Sequence, residues 1–215
     1  MNTAYVDRKA KTLLRAKELV LLGARISTVE LVTGLSKYES VNLFFDNAER
    51  PPKPGRHCES TEWPFRVTLV YRCDAAVVVA IYRNCRDLRL DCTESLIQSY
   101  KNYRSLFDDA TTGSKPKPRI DFERAFDLVR HVEGIWGVSH PDLLLASCPT
   151  CHKRYLSGLV SCPRRAASCP FCSLSSRYEK DTRVRAYYPP RLPFAGSVYL
   201  GLLSGIGESG SEGEQ

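Results

Sequence analysis

Between Asp7 and Gly23 the apolar residues Leu13, Leu14, Ala16, Leu19, Val20 and Leu22 recur near helical spacing, with Lys11, Arg15, Lys17 and Glu18 on the polar side. That pattern predicts an amphipathic helix, and Gly23 is its expected stop. A second short helix is expected from about Ile26 to Val32, with Ser27 or Thr28 near its start, followed by the turn Thr33, Gly34, Leu35, Ser36. Ser36 and Glu39 stand at capping-box spacing and open a third helix, Lys37 to Asn47. The three prolines and one glycine of Arg50 to Gly55 forbid helix and predict an extended connector. Helical spacing returns at Asp74 to Asp87, at Thr93 to Phe107 and at Asp121 to Trp136. In the second of these, Thr93, Leu96, Ile97, Tyr100, Tyr103, Leu106 and Phe107 form one apolar stripe, read as core. The loop Asp108 to Arg119, with Gly113, Pro116 and Pro118, precedes Asp121, a good helix cap.

The segment Ile26 to Phe45 has two readings. As a helix-turn-helix, it would bury Val29 and Leu35, turn at Gly34 and present Lys37, Tyr38 and Asn42 to a DNA groove. As a plain helical hairpin inside a larger bundle, it would use the same residues for packing alone. His131 falls on the last long helix with no metal partner near it in sequence, so it is read as a satisfied histidine and not a ligand. No repeat of solenoid length is apparent.

The hydrophobic fraction of 43% and charged fraction of 26% are those of an ordinary globular chain. The longest apolar run, Ala75 to Tyr82, is far too short to cross a bilayer, and Leu19 to Ala24 lacks the features of a secretory signal. A cytoplasmic protein without membrane contact is expected. In that compartment nine cysteines do not form a disulfide framework. Cys58, Cys73, Cys85 and Cys92 lack ligand spacing and read as small core residues.

Cys148, Cys151, Cys169 and Cys172 are different. They form two Cys-x-x-Cys knuckles at a spacing typical of a four-thiolate zinc site. Four thiolates leave no open coordination position, so one structural Zn2+ per chain is expected, with no hydrolysis. A redox pair of motifs would want a βαβ context that the pattern lacks, whereas an iron-sulfur cluster is compatible with the same spacing. Cys162 and His152 could each replace a knuckle cysteine, though neither is the preferred ligand.

The formal charge of +7 favours polyanionic partners. From Cys148 to Arg191 nine Lys or Arg stand against Glu179 and Asp181, a formal excess of seven. Lys153, Arg154, Arg164, Arg165 and Arg177 lie between or just beyond the knuckles. A metal-fixed loop would hold such side chains toward a DNA backbone at small ordering cost, giving salt-dependent affinity. A solvated charged face explains any one of them equally well. No paired carboxylates, nucleophile with base or phosphate-cradling glycine loop appears, so an enzyme is not expected.

Three stretches resemble one family. They are ELVLLGARISTVELVTGLSKYESVNLFF from Glu18, RPPKPGRHCESTEWPF from Arg50, and FDLVRHVEGIW from Phe126 followed by SCPTC and CPFC. Together they resemble FlhC, the zinc-binding partner of FlhD in the bacterial flagellar master regulator, over roughly Ala16 to Arg177. Cys162 and the Gly-rich acidic tail depart from that pattern. The resemblance implies an all-α protein with a zinc-bound carboxyl module, assembling as two FlhC with four FlhD chains. It implies binding to double-stranded DNA upstream of flagellar promoters and recruitment of RNA polymerase.

The expected organisation is therefore mainly α. Residues 1–145 would be a helical domain with the helix-turn-helix-like segment and a partner-binding surface, 146–192 a basic zinc module, and 193–215 a flexible Gly/Ser/Glu tail. The rival function is a zinc-stabilised protein-interaction scaffold without sequence-specific DNA binding.

Overall fold

The computed structural model describes residues 3–47, 62–107, 117–159 and 168–187. The proline-rich connector, most of the loop after Phe107, Cys58, Cys162, Arg164, Arg165 and the tail lie outside the described residues. The chain divides into two compact units, Met1–Ser175 and Ser176–Gln215.

The first unit begins with α1 (Thr3–Leu22), α2 (Ile26–Thr33) and α3 (Lys37–Asn47). Helix α1 starts before the expected Asp7 because nothing in Thr3 to Val6 breaks a helix. Gly23 and Gly34 take left-handed backbone at φ +91 and +72 and end α1 and α2 where expected. The capping box forms as the spacing requires: Ser36 N–H donates to Glu39 Oε2 at 3.0 Å, and Glu39 N–H to Ser36 Oγ at 3.3 Å. Val29 and Leu35 are buried, with Ala16, Leu19, Val20 and Phe44. The three helices pack on one another.

Helix α2 has Ser27 and Thr28 near its start, as expected, but neither residue provides its N-cap. Its Ncap is Arg25, whose side chain makes no cap bond, and Ser27 and Thr28 already lie inside the helix. The acceptor comes instead from a distant helix: Glu123 Oε1 takes the Arg25 N–H at 2.7 Å and the Thr28 hydroxyl at 2.8 Å. A carboxylate at a helix N-terminus is favoured by orphan amides and dipole alike.

After the short α4 (Trp63–Arg66), helices α5 (Leu69–Asp87), α6 (Cys92–Ser105) and α7 (Phe122–Glu133) form the centre of the unit. Helices α5 and α6 share the broadest helix–helix contact, and the small residues Ala75, Ala76, Ser95 and Ser99 on them are fully buried. Of the expected stripe on α6, Leu96, Ile97, Tyr100 and Tyr103 are buried while Leu106 is exposed. Asp91 and Asp121 cap α6 and α7 by accepting from the Glu94 and Arg124 amides. Helix α7 stops short of the expected Trp136 because Gly134 turns left-handed at φ +67 and donates to Arg130 O. Trp136 then folds back and stacks on Phe126. Cys73 and Cys85 are buried, as expected of core thiols.

Two strands were not expected. Strands β1 (Leu143–Ser147) and β2 (Arg154–Gly158) pair antiparallel, Leu145 opposite Leu156 and Ser147 opposite Arg154. They pack against α5, and β1 also against α7, burying Leu143, Tyr155 and Leu156. Neither LLLAS nor RYLSG alternates apolar with polar residues, so no period of two marks them in the sequence. Helix α8 (Pro170–Lys180) follows and runs past Ser175 into the second unit, which also contains α9 (Thr182–Tyr187). The architecture is mainly α, with a four-cysteine cluster near the end of the first unit.

Candidate metal centre and nucleic-acid surfaces

The first knuckle is the loop of the hairpin. Cys148 N–H donates to Lys153 O at 3.0 Å and His152 N–H to Cys148 O at 2.9 Å, with His152 left-handed at φ +56. The second knuckle is a helix N-terminus: Pro170 opens α8, and Cys169 O accepts from the Ser173 amide and hydroxyl. Proline suits that first helical position because it has no amide to leave unpaired.

These two turns bring Cys148, Cys151, Cys169 and Cys172 together, with all four sulfurs within 4.8 Å of one another. Cys148 Sγ lies 3.7 Å from Cys172 Sγ, and Cys151 Sγ 3.6 Å from Cys169 Sγ. Four sulfurs at about 2.3 Å from a central ion would stand roughly 3.8 Å apart along a tetrahedron edge. The four-cysteine cluster could therefore hold a metal ion, and the thiolate set suits a soft or borderline one. His152 is exposed and outside the cluster.

In both knuckles backbone amides donate to the leading cysteine, but burial differs in its effect. The amides of Cys151 and Thr150 donate to Cys148 and hold its thiol well down, at about 6. Burial pushes the Cys169 thiol up, against the amides of Cys172 and Phe171. The crowded sulfurs of Cys151 and Cys148 drive Cys172 up to about 12. Four sulfurs so close cannot all ionise without a cation among them, and a bound metal reverses that balance.

The centre is tied to the helical core. Arg72 on α5, only 7% exposed, donates to Ser168 O at 3.0 Å, directly before Cys169. Arg154 of β2 donates to Asn84 Oδ1 on α5 at 2.8 Å. Asp142, just before β1, donates its amide to His131 O, and its carboxylate meets His131 Nδ1 at 3.2 Å. His131 is thus buried and paired through Nδ1 alone, its Nε2 having no hydrogen-bond partner among the described residues, so the expected satisfied histidine is only half satisfied; burial pulls its pKa below the ordinary 6.5. Neither Arg72 nor Glu123 was singled out in the sequence. The signal for Arg72 was available: it shares a helix face with Ala75, Ala76 and Val79, where a cation needs a buried partner.

The candidate DNA-contact residues fall in separate places. Lys37, Tyr38 and Asn42 are all exposed on α3, Tyr38 at 76%, with Phe45 beside them one turn on. Lys153 and Arg154 are exposed at the first knuckle. Arg177 is exposed on the part of α8 that belongs to the second unit, and Arg164 and Arg165 lie outside the described residues. No helix among the described residues is long and apolar enough to cross a membrane.

The model of the family described as "Flagellar transcriptional activator (FlhC)" matches residues 1–185. The flagellar transcriptional regulator FlhC of Verminephrobacter eiseniae is 27% identical over 189 residues, covering 84% of this chain and 95% of that protein. That of Proteus mirabilis is 26% identical, covering 86% and 91%, and that of Paraburkholderia atlantica 28% identical, covering 89% and 83%.

Proposed function

Because the chain belongs to the FlhC family of flagellar transcriptional activators, we propose that it is the zinc-binding, DNA-contacting subunit of a cytoplasmic activator complex formed with FlhD. As a flagellar transcriptional regulator it is no enzyme. In this reading two copies join four FlhD chains, bind double-stranded DNA upstream of motility promoters and recruit RNA polymerase. The observation that carries it is the cluster of four sulfurs within 4.8 Å of one another, flanked by exposed Lys153 and Arg154, in a chain matched by the family over residues 1–185.

One structural zinc per chain is the metal of this proposal. The two close sulfur pairs and the 4.8 Å limit suit a single ion, whereas a polynuclear iron cluster spreads its cysteines over several irons. When bound, zinc supplies folding energy and no open coordination position. The chain's own groups do the rest. The hairpin holds Lys153 at the end of its loop and Arg154 at the start of β2, and α3 presents Lys37, Tyr38 and Asn42. Arg164, Arg165 and Arg177 would add phosphate contacts, so affinity would fall steeply with salt. Exposed Val6, Leu14 and Leu21 on α1 offer an apolar surface suited to a protein partner.

One observation favours the scaffold reading: the Arg154 guanidinium already donates to Asn84 Oδ1, as a purely structural arginine would. A gel-shift of a flagellar promoter fragment against scrambled DNA, with and without FlhD, separates the two. Sequence-selective binding that weakens when Lys153, Arg164 and Arg165 are neutralised is expected; selectivity in neither case would leave only the scaffold.

A further inference from the structure

The four-thiolate reading makes the centre anionic. Four thiolates around a divalent ion carry a net charge of −2, and Cys148 and Cys169 are buried. The amides of Thr150, Cys151, Phe171 and Cys172 supply partial charge at the leading cysteine of each knuckle. None of them is a full cation.

We propose that Arg72 is the counter-ion of the four-sulfur centre: its buried guanidinium seats the second knuckle on α5 and raises the affinity of the site for its metal. The proposal rests on the four-thiolate reading. Its geometry is the 3.0 Å bond from Arg72 Nη2 to the carbonyl of Ser168, the residue that precedes the ligand Cys169. Its physics is that a cation on a core face is expensive to bury, and an anionic centre one residue away offsets that expense at low dielectric. The face is unmistakably core, since Ala75, Ala76 and Val79 share it and are fully buried. Arginine suits the task because its planar fork can serve the carbonyl that precedes Cys169 while keeping its charge, and it does not deprotonate. Arg72 acts through Ser168 and Cys169, so it is a positioning residue. It also makes metal binding a property of α5 as much as of the knuckles.

The test uses the full-length chain with three substitutions, Arg72→Lys, Arg72→Gln and Arg72→Met. Lysine keeps the charge, glutamine keeps a donor without charge, and methionine keeps neither. Zinc affinity is read by competition with a chromophoric chelator, and the site's integrity by the absorption of the cobalt-loaded protein. Loss of a group that supports metal ligands lowers affinity by about 10- to 100-fold, and that loss is expected for Gln and Met, with Lys staying within a few-fold of wild type. A merely structural hydrogen bond would let Gln match Lys, and that result would overturn the proposal, as would wild-type affinity in Met. Should Met not fold, Lys against Gln decides the matter alone. A wild-type chain that binds no stoichiometric metal would instead overturn the four-thiolate reading, and the proposal with it.

Discussion

Gly134 shows how little room single residues have here. A Cβ at this position would lie 2.7 Å from Pro141 Cδ and 2.8 Å from Pro141 N, and the backbone is left-handed at φ +67. The contact is with a rigid ring and backbone, so neither side can yield. Gly134→Ala should lower the free energy of unfolding by at least about 2 kcal/mol, measured in urea, from strain and overpacking together. Glu123 is the second such residue, 6% exposed and shared between α7 and the start of α2. Glu123→Gln leaves one donor facing another and should cost about 1–3 kcal/mol in the same measurement. Because Thr28 donates to that carboxylate, Thr28→Val combined with Glu123→Gln should cost less than the two separately. Full additivity would mean that the bond contributes nothing.

At the scale of elements, the start of α3 carries a pH dependence. Lys9 and the amide and hydroxyl of Ser36 hold the Glu39 carboxyl down at about 2, against an ordinary 4.5. A carboxylate whose folded pKa is depressed contributes its stability fully above the unfolded value and loses it as the folded group protonates. The capping box should therefore hold above pH 4.5 and fail progressively between 4.5 and about 2. Carboxyl chemical shifts followed by NMR would show it; a Glu39 midpoint near 4.5 would contradict the assigned contacts. The hairpin is the contrasting element. A two-stranded ribbon is marginal alone, and β1–β2 persists through packing on α5 and α7. Its existence could not be read from Leu143 to Gly158, because only the partner helices make a five-residue ribbon stable.

For the whole molecule the question is whether the proposed zinc would hold a module or the core. Leu143, Cys148, Tyr155, Leu156 and Cys169 belong to the same buried cluster as Val78, Val79 and Phe126. Removing the metal should thus lower the melting temperature of the helical core itself, in one shared calorimetric transition. Structural zinc contributes on the order of 10 kcal/mol in isolated fingers, so the shift should be large. Two separate transitions, with the helices melting unchanged after chelation, would show an independent module.

The local chemistry of this protein was settled by residues near one another in sequence. Ser36 with Glu39, Asp121 with Arg124, the glycine stops and the paired Cys-x-x-Cys knuckles each involve a few neighbouring positions, and short spacing fixes their geometry. What only the tertiary structure decided are meetings across long separations: Glu123 at the start of α2, Arg72 beneath the second knuckle, Asn84 on Arg154 and the hairpin on α5. Such contacts depend on how helices pack, and packing is set by the whole core, so no periodicity along the chain announces them.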